Sequence, residues 1–428
     1  MTDDTPMPPP GGPLPPSGGS KPPDGPASLL SAAAVRARST ALLERGLAGE
    51  LHHFTVHPER IRACAETVVA TIRQDYPTLD ISFHARWRHF AAGGLDRWGT
   101  LQEAMRFPGL REQARAAFDL AITSVLLDAG AGPAWSYEEG RTGEIYRRSE
   151  GLAVASFDLF IGGALSARPE DPCRADAAGL ADLSVTELGR AFQVGADNPL
   201  VGLEGRTALL NRLGRTVAAA PDVFGIADDP RPGGLFDWLV ARAEGEEIAA
   251  PAILEALLVH LGPVWPGRIT LDGTDLGDTW RHPLAPGHGE TAGLVPFHKL
   301  SQWLAYSLIE PLEDAGIRVR DLDGLTGLPE YRNGGLLLDT GVIALRRPEE
   351  ADRAHPVGSE IVVEWRALTV ALLDRVAVAV REALDLDAET FPLAKVLEGG
   401  TWAAGRHLAQ ARRGGEPPLR VESDGTVF

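Results

Sequence analysis

Cysteine is scarce in this 428-residue chain: only Cys64 and Cys173 occur, and no C-x-x-C. That excludes a disulfide framework and a zinc site built from cysteine pairs, and it points to a reducing, cytoplasmic setting. Basic charge is also short. Forty-one Lys and Arg face 59 Asp and Glu, for a net charge of -18, which argues against a general nucleic-acid or membrane-surface role. A small anionic substrate stays open, because local arginine clusters can outweigh the global field. No uninterrupted apolar run approaches the ~18 residues a membrane span needs, and no apolar segment follows a basic start as in a signal peptide. Also missing are G-x-G-x-x-G, Walker A, H-E-x-x-H, G-x-S-x-G and the kinase signatures, so the commonest nucleotide, zinc-protease and serine-hydrolase readings fall away.

What is present is a soluble globular composition, 44% apolar and 23% charged. Residues 1–27 hold 15 Pro and Gly and are expected to form a disordered tail. From Ser28 onward the apolar spacing is mostly helical. Helices are expected over 28–51, from Pro58 to Tyr76, over 110–128, from about Gly151, and near 178–194, 203–219, 235–245, 251–261, 293–313, 358–385 and 401–412. Strands or hairpins are expected only near 80–90 and 140–150, and no β-α-β rhythm or fixed repeat is visible. The expected fold is mainly α with a few short strands. It forms one compact, multi-lobed domain over 28–412, with an N-terminal lobe over about 28–177, a helical lobe over about 178–412, and a loose tail over 413–428.

The segment DLDGLTGLPEYRNGGLLLDTGVIAL (321–345) gathers Glu330, Tyr331, Arg332 and Asp339 around a double glycine. Two carboxylates, with a guanidinium and a phenol beside the first, can stabilise a cation and position a water. This suggests a hydrolase or lyase acting on a polar, phosphorylated small molecule. HARWRHFAAGGLDRW supplies Arg86, Arg88, His89 and Arg97 near Gly93 and Gly94. Guanidinium forks bind phosphate, although pairing with the many acids would use the same groups. Glu150 enters an apolar helix, where it needs either a partner or a job, or simply complements the helix dipole. Gln193 and Asn198 lie in the loop FQVGADNPL. Their amides can read a urea or pyrimidine edge, or build the turn. His298, Lys299 and Gln302 share the first turn of an amphipathic helix. Glu360 and Glu364 stand at i, i+4 and repel unless a cation lies between them; Arg366 and Lys299 are candidates. Asp272, Asp275, Asp278 and His282 form an acidic loop whose offsets miss those of an EF-hand, so no metal ligands are assigned.

Five stretches together resemble one family, the uracil-catabolism (URC pathway) proteins of bacteria and fungi, formerly a domain of unknown function. They are RWRHFAAGG, RSEGLAVASFDLF, FQVGADNPLVGLEGR, VPFHKLSQWLAYSLIEPLE and GLTGLPEYRNGGLLLDTGV. In that pathway uracil is thought to become its nucleotide, then a ring-opened ribosylurea phosphate, then urea, so a step cleaving the ribose–urea bond is required. The C-terminal half also resembles the queuosine 5′-phosphate N-glycosylases, relatives in fold of helix-hairpin-helix DNA glycosylases. Lys299 with Gln302, Leu325-Thr326, Pro329-Glu330-Tyr331-Arg332, Gly341 and Glu364-Trp365-Arg366-Ala367 match that pattern, with Glu330 in place of an Asp.

The resemblance implies an N-glycosidase without a cofactor, acting on ribosylurea 5-phosphate or a similar ring-opened nucleotide. Glu330 would stabilise the oxocarbenium-like state, with Asp339 as helper or replacement. Tyr331, Glu150 or His298 would protonate the leaving urea. Arg332, Lys299, Gln302 and the Arg86–Arg88–His89 cluster would hold the substrate and its phosphate, and Gln193 and Asn198 would read the urea. Two rivals remain. One is a metal-dependent amidohydrolase built on Asp272, Asp278, His282, His84 or His89. The other is a non-catalytic sensor of uracil nucleotides.

Overall fold

The computed structural model describes residues 25–422 apart from 129, 227, 228, 266 and 267. Apart from its last three residues, the tail expected over 1–27 therefore lies outside the described residues. The first long helix, α1 (Ala32–Leu47), begins where the Ser31 hydroxyl accepts the Ala34 backbone N–H. Pro58 opens a 3-10 turn that leads into α2 (Ile61–Asp75), whose Cys64, Val68 and Ile72 are buried at helical spacing.

The stretch near 80–90 carries no strand. It holds a short helix, α3 (Arg86–Phe90), because tertiary anchors override its weak local preference. The Arg86 backbone N–H donates to Ser307 Oγ at 2.9 Å, and the Trp87 indole donates to the Ser307 carbonyl at 2.7 Å. Next come α4 (Arg97–Met105) and the buried α5 (Leu110–Leu126). A hairpin pairing Tyr137–Glu138 with Ile145–Tyr146 follows, close to the expected position, and leads into α6 (Arg148–Ile161).

The single helix expected over 178–194 is two helices, α7 (Ala177–Asp182) and α8 (Val185–Ala191). Ser184 and Glu187 form a capping box that restarts the chain. Then follow α9 (Leu203–Ala219), α10 (Pro221–Phe224), α11 (Gly234–Val240) and α12 (Ala250–His260). The helix expected from 293 begins later, as α13 (Lys299–Asp314). Its preceding residues Leu294–Pro296 pair with Thr279–Arg281, and His298 turns the chain with φ 50°. The remaining helices are α14 (Tyr331–Asp339), α15 (Glu360–Leu384), α16 (Leu393–Val396) and α17 (Trp402–Arg413), the last two joined through a π-helical turn at Leu397–Thr401.

The fold is mainly α, as expected, and the strands form only two-stranded ribbons. One hydrophobic core runs from Ala32 to Leu419. The long α15 is its spine, with α1, α2 and α14 packed against it, while α5 packs on α6, α11 and α13. The two expected lobes are therefore interlocked, since helices from each end of the chain share one interior. Part of the tail expected to be loose is held: Arg420–Glu422 pairs in parallel with Ala354–Pro356. No helix among the described residues is long and apolar enough to cross a membrane.

Candidate functional site

Three helices begin at one place, and a continuous helix passes there from its π-helical turn into α17. Arg148 is the first residue of α6, Lys299 of α13 and Trp402 of α17, and Glu330 caps α14. All four line a cavity of about 340 Å³, together with His84, His89, Trp303, Tyr331, Arg332 and the loop that follows α5, which contributes Asp128. Helix N-termini carry positive partial charge, so their convergence favours an anionic ligand. The backbone is strained here as well. Arg148 (φ 53°) and His298 (φ 50°) are left-handed non-glycine residues at the starts of α6 and α13, a conformation that costs of order 1–3 kcal/mol each and gathers at functional sites.

Glu330 is buried, and its two oxygens accept the backbone N–H groups of Asn333 (2.5 Å) and Arg332 (2.9 Å). The Arg332 guanidinium lies 3.7 Å from that carboxylate and is sandwiched between the rings of Tyr331 (4.5 Å) and Trp402 (4.8 Å). Burial raises the Tyr331 pKa and keeps it a phenol. Asp128 lies 2.9 Å from the Arg86 guanidinium and accepts the Ser149 hydroxyl at 3.3 Å. Burial alone would raise its pKa, but the charge of Arg86 and the hydrogen bond from it hold the group below the usual carboxylate range.

Burial presses the Lys299 ammonium below its ordinary pKa, against the pull of Glu330 and Asp128. Lys299 is one of three lysines in the chain, with Lys21 and Lys395. Burial and the neighbouring Arg86 push His89 down to about 4, so its ring is neutral at pH 7. Its Nδ1 is buried and finds no hydrogen-bond partner among the described residues, and the ring stands edge-on to Trp303 at 5.6 Å. His84 Nδ1 lies 2.6 Å from Glu398. The cavity thus combines two carboxylates, two guanidinium groups, a buried lysine and a neutral imidazole between aromatic walls. Such a set can stabilise positive charge, activate water and grip a phosphate.

Among the residues singled out from sequence, Glu330, Tyr331, Arg332, Lys299 and His89 come together here. Glu150 sits in the first turn of α6, outside the lining, and bears electrostatically on His89 and Tyr331. Others lie elsewhere, each with a physical reason. Asp339 ends α14 in a two-pronged pair with Arg413, at 2.7 and 2.6 Å. Arg86 is buried behind the cavity, where it serves Asp128, and Arg88 pairs with Glu310 at 2.5 Å. Gln193 and Asn198 spend their amides on the backbone of Glu138 and Ser136, tying their loop to the hairpin. His298 meets the Leu29 carbonyl through Nε2 at 2.9 Å. Gln302 is fully buried and clamps Thr326 through both its backbone N–H and its hydroxyl. The residues of the amidohydrolase alternative are scattered. Asp272 is exposed on a hairpin turn, Asp278 is gripped by Arg366 (2.8 and 2.7 Å), and His282 faces Glu364.

Sequence reasoning missed Asp128, Arg148, Ser149 and Trp402. Asp128 had a signal in VLLDAGAGP. A carboxylate at the C-terminal end of an apolar helix opposes the dipole there, and the glycines after it leave room for a ligand.

The family model described as "Protein of unknown function (DUF1688)" matches residues 28–428. "Protein urg3" of Schizosaccharomyces pombe (strain 972 / ATCC 24843) is 35% identical over 411 residues, covering 94% of this chain and 98% of that protein. "Uracil catabolism protein 4" of Lachancea kluyveri is 37% identical over 420 residues, covering 89% and 93%. These likenesses extend over nearly all of the chain and agree with the resemblance read from its motifs, and on this footing the chain belongs to the DUF1688 family.

Proposed function

We propose that the protein acts in uracil catabolism and that its cavity hydrolyses the ribose–urea bond of a ring-opened pyrimidine nucleotide such as ribosylurea 5-phosphate. The observation that carries this reading is the meeting of two carboxylates, Asp128 and Glu330, with Lys299, Arg148 and Arg332 in one cavity at converging helix starts. Its volume of about 340 Å³ is near the small end for ligand sites, suited to a sugar phosphate bearing a small base. The likeness to "Uracil catabolism protein 4" supports the pathway. The motif likeness to queuosine 5′-phosphate N-glycosylases, and with it a glycosylase-like C-terminal half, supports the bond cleaved.

In this mechanism Arg148, Lys299 and Arg332 hold the 5-phosphate. Glu330, fixed by two backbone N–H groups, stabilises the oxocarbenium-like sugar. Asp128 takes a proton from the attacking water as its oxygen bonds to the anomeric carbon. The C–N bond breaks, and the leaving urea nitrogen gains a proton from Tyr331, which solvent restores.

The test is an end-point mass-spectrometric assay with ribosylurea 5-phosphate, uridine 5′-phosphate and queuosine 5′-phosphate. Release of urea and ribose 5-phosphate by the wild type and by Asp339→Asn, but not by Asp128→Asn or Glu330→Gln, is the expected result. Binding of all three compounds without any product refutes hydrolysis and favours a nucleotide sensor. Wild-type turnover in both Asp128→Asn and Glu330→Gln refutes the assigned chemistry.

A further inference from the structure

At the start of α15, away from the cavity lining, Glu360 and Glu364 stand one helical turn apart and need a cation between them. Of the cations suggested by the sequence, Lys299 lines the cavity and Arg366 grips Asp278. Two histidines face the pair instead. His52 Nδ1 lies 2.6 Å from Glu360 Oε1. His282 Nε2 lies 3.3 Å from Glu364 Oε1 and 3.8 Å from Glu360 Oε1. One donor atom from each of His52, Glu360 and Glu364 falls within 4.8 Å of the other two, the one such group of His, Cys, Asp or Glu among the described residues.

The surroundings hold these atoms in place. Glu364 is fully buried, and its two oxygens accept the backbone N–H groups of His52 and His53, each at 3.0 Å. The loop that carries His52 is thus pinned to the carboxylate it faces. His282 Nδ1 accepts the Leu284 N–H at 3.2 Å, so Nε2 carries the ring proton and donates it to Glu364. That makes His282 an orienting partner of the carboxylate, the role that outer groups play around bound metals. His52 is exposed, which leaves one side of the triad open to water.

We propose that His52 Nδ1, Glu360 and Glu364 bind a divalent ion of the zinc class, with water completing the coordination. One imidazole and two carboxylates suit such an ion, and three protein ligands with an open position suit its four-coordinate geometry. The ion would relieve the repulsion between the glutamates and staple the loop after α1 to α15. Two residues further along α15, Arg366 holds Asp278, which accepts the Lys299 backbone N–H at 3.1 Å. The staple would therefore brace a helix start that lines the cavity, without entering it. This site is independent of the proposed hydrolysis, which needs no metal.

The test is calorimetric titration of metal-free full-length protein with Zn²⁺, repeated by visible absorption with Co²⁺, alongside thermal unfolding. The wild type is expected to bind one ion per chain and to gain thermal stability from it. His52→Ala and Glu360→Gln change exposed or half-buried side chains, and circular dichroism checks that they fold. Each should weaken binding by more than about tenfold and lose the thermal gain, while His288→Ala behaves as wild type. Absence of wild-type binding at micromolar Zn²⁺ and Co²⁺ would overturn the proposal, as would equal affinity in folded His52→Ala and Glu360→Gln.

Discussion

Asp128 is placed in the cavity wall by a buried arginine, and the strength of that arrangement can be measured. Arg86 is fully buried, 2.9 Å from Asp128, with Nε donating to Ser124 Oγ at 2.7 Å and Nη1 to the Ser149 carbonyl at 3.3 Å. Taking away one partner leaves the other charge without compensation in the interior, which costs about 3–5 kcal/mol. Replacing both with apolar groups of similar volume leaves no such orphan and is often close to neutral. Asp128→Leu and Arg86→Met are therefore each expected to be strongly destabilising, and the double variant much less so than their sum. Ser124 stays satisfied in all of them, because its hydroxyl also lies 2.6 Å from Ser156 Oγ. If the double variant costs no more than either single one, the coupling energy is at least about 3 kcal/mol, at the upper end for residues in contact. A domain in the upper part of the usual range of about 5–15 kcal/mol stays folded after each change. The assay is urea unfolding followed by tryptophan fluorescence, with Trp303 only 5.5 Å from the Arg86 guanidinium as a local reporter. Destabilisations that add to within about 0.5 kcal/mol would refute the pairing. The double variant should regain stability while remaining inactive, which separates the carboxylate's chemistry from its structural cost.

Other outcomes follow from the same geometry. Glu330→Ala removes the cap of α14 and should cost about 0.5–2 kcal/mol in unfolding, whereas Glu330→Gln keeps one acceptor, costs less, and lowers kcat by about 10²–10³. Gly334→Ala places a methyl 2.6 Å from Trp365 Nε1 and 2.9 Å from Thr369 Oγ1. Overpacking of this kind costs about 1–3 kcal/mol, and an unchanged Tm would mean that α14 and α15 are further apart than described. His89 titrates near 4 when folded, below the ordinary histidine value of about 6.5. As pH falls from about 6.5 to 4, the unfolded chain takes up the proton first, so stability falls with pH across that window and the effect levels off below it. A Tm–pH profile should show a shallower acid slope in His89→Gln, and identical slopes would contradict the buried, neutral ring.

Regular helices were legible because nothing competes with their pattern. The helix expected over 203–219 is α9, and the one expected over 358–385 is α15 to within two residues. The sequence hid α14, since two adjacent glycines, Gly334 and Gly335, lower its helical propensity. Their purpose appears only once Trp365 is seen against Gly334 and Pro418 near Gly335. It hid α3 for the same reason, because that helix hangs on Ser307. Within the site, the cluster Glu330-Tyr331-Arg332 and the rare Lys299 stood out by composition. Asp128 did not, because its arginine lies on a different helix. Asp339 looked equivalent to Glu330 in one dimension, yet a nine-residue helix puts the two at opposite ends, one in the cavity and the other against Arg413.

The shared core also constrains how the protein is made. The apolar faces of α1 and α2 are covered by α15, which leaves the ribosome more than 280 residues after α2 ends, and Trp402 is the last part of the cavity wall to be synthesised. A nascent chain therefore carries uncovered hydrophobic surface through most of its synthesis, the condition that invites aggregation and chaperone capture. No truncated product that stops before α17 encloses the cavity. Contacts so distant in sequence also slow the search for the native state. The cavity is thus complete only when almost the entire chain has been made, so a prematurely ended chain cannot present it even in part.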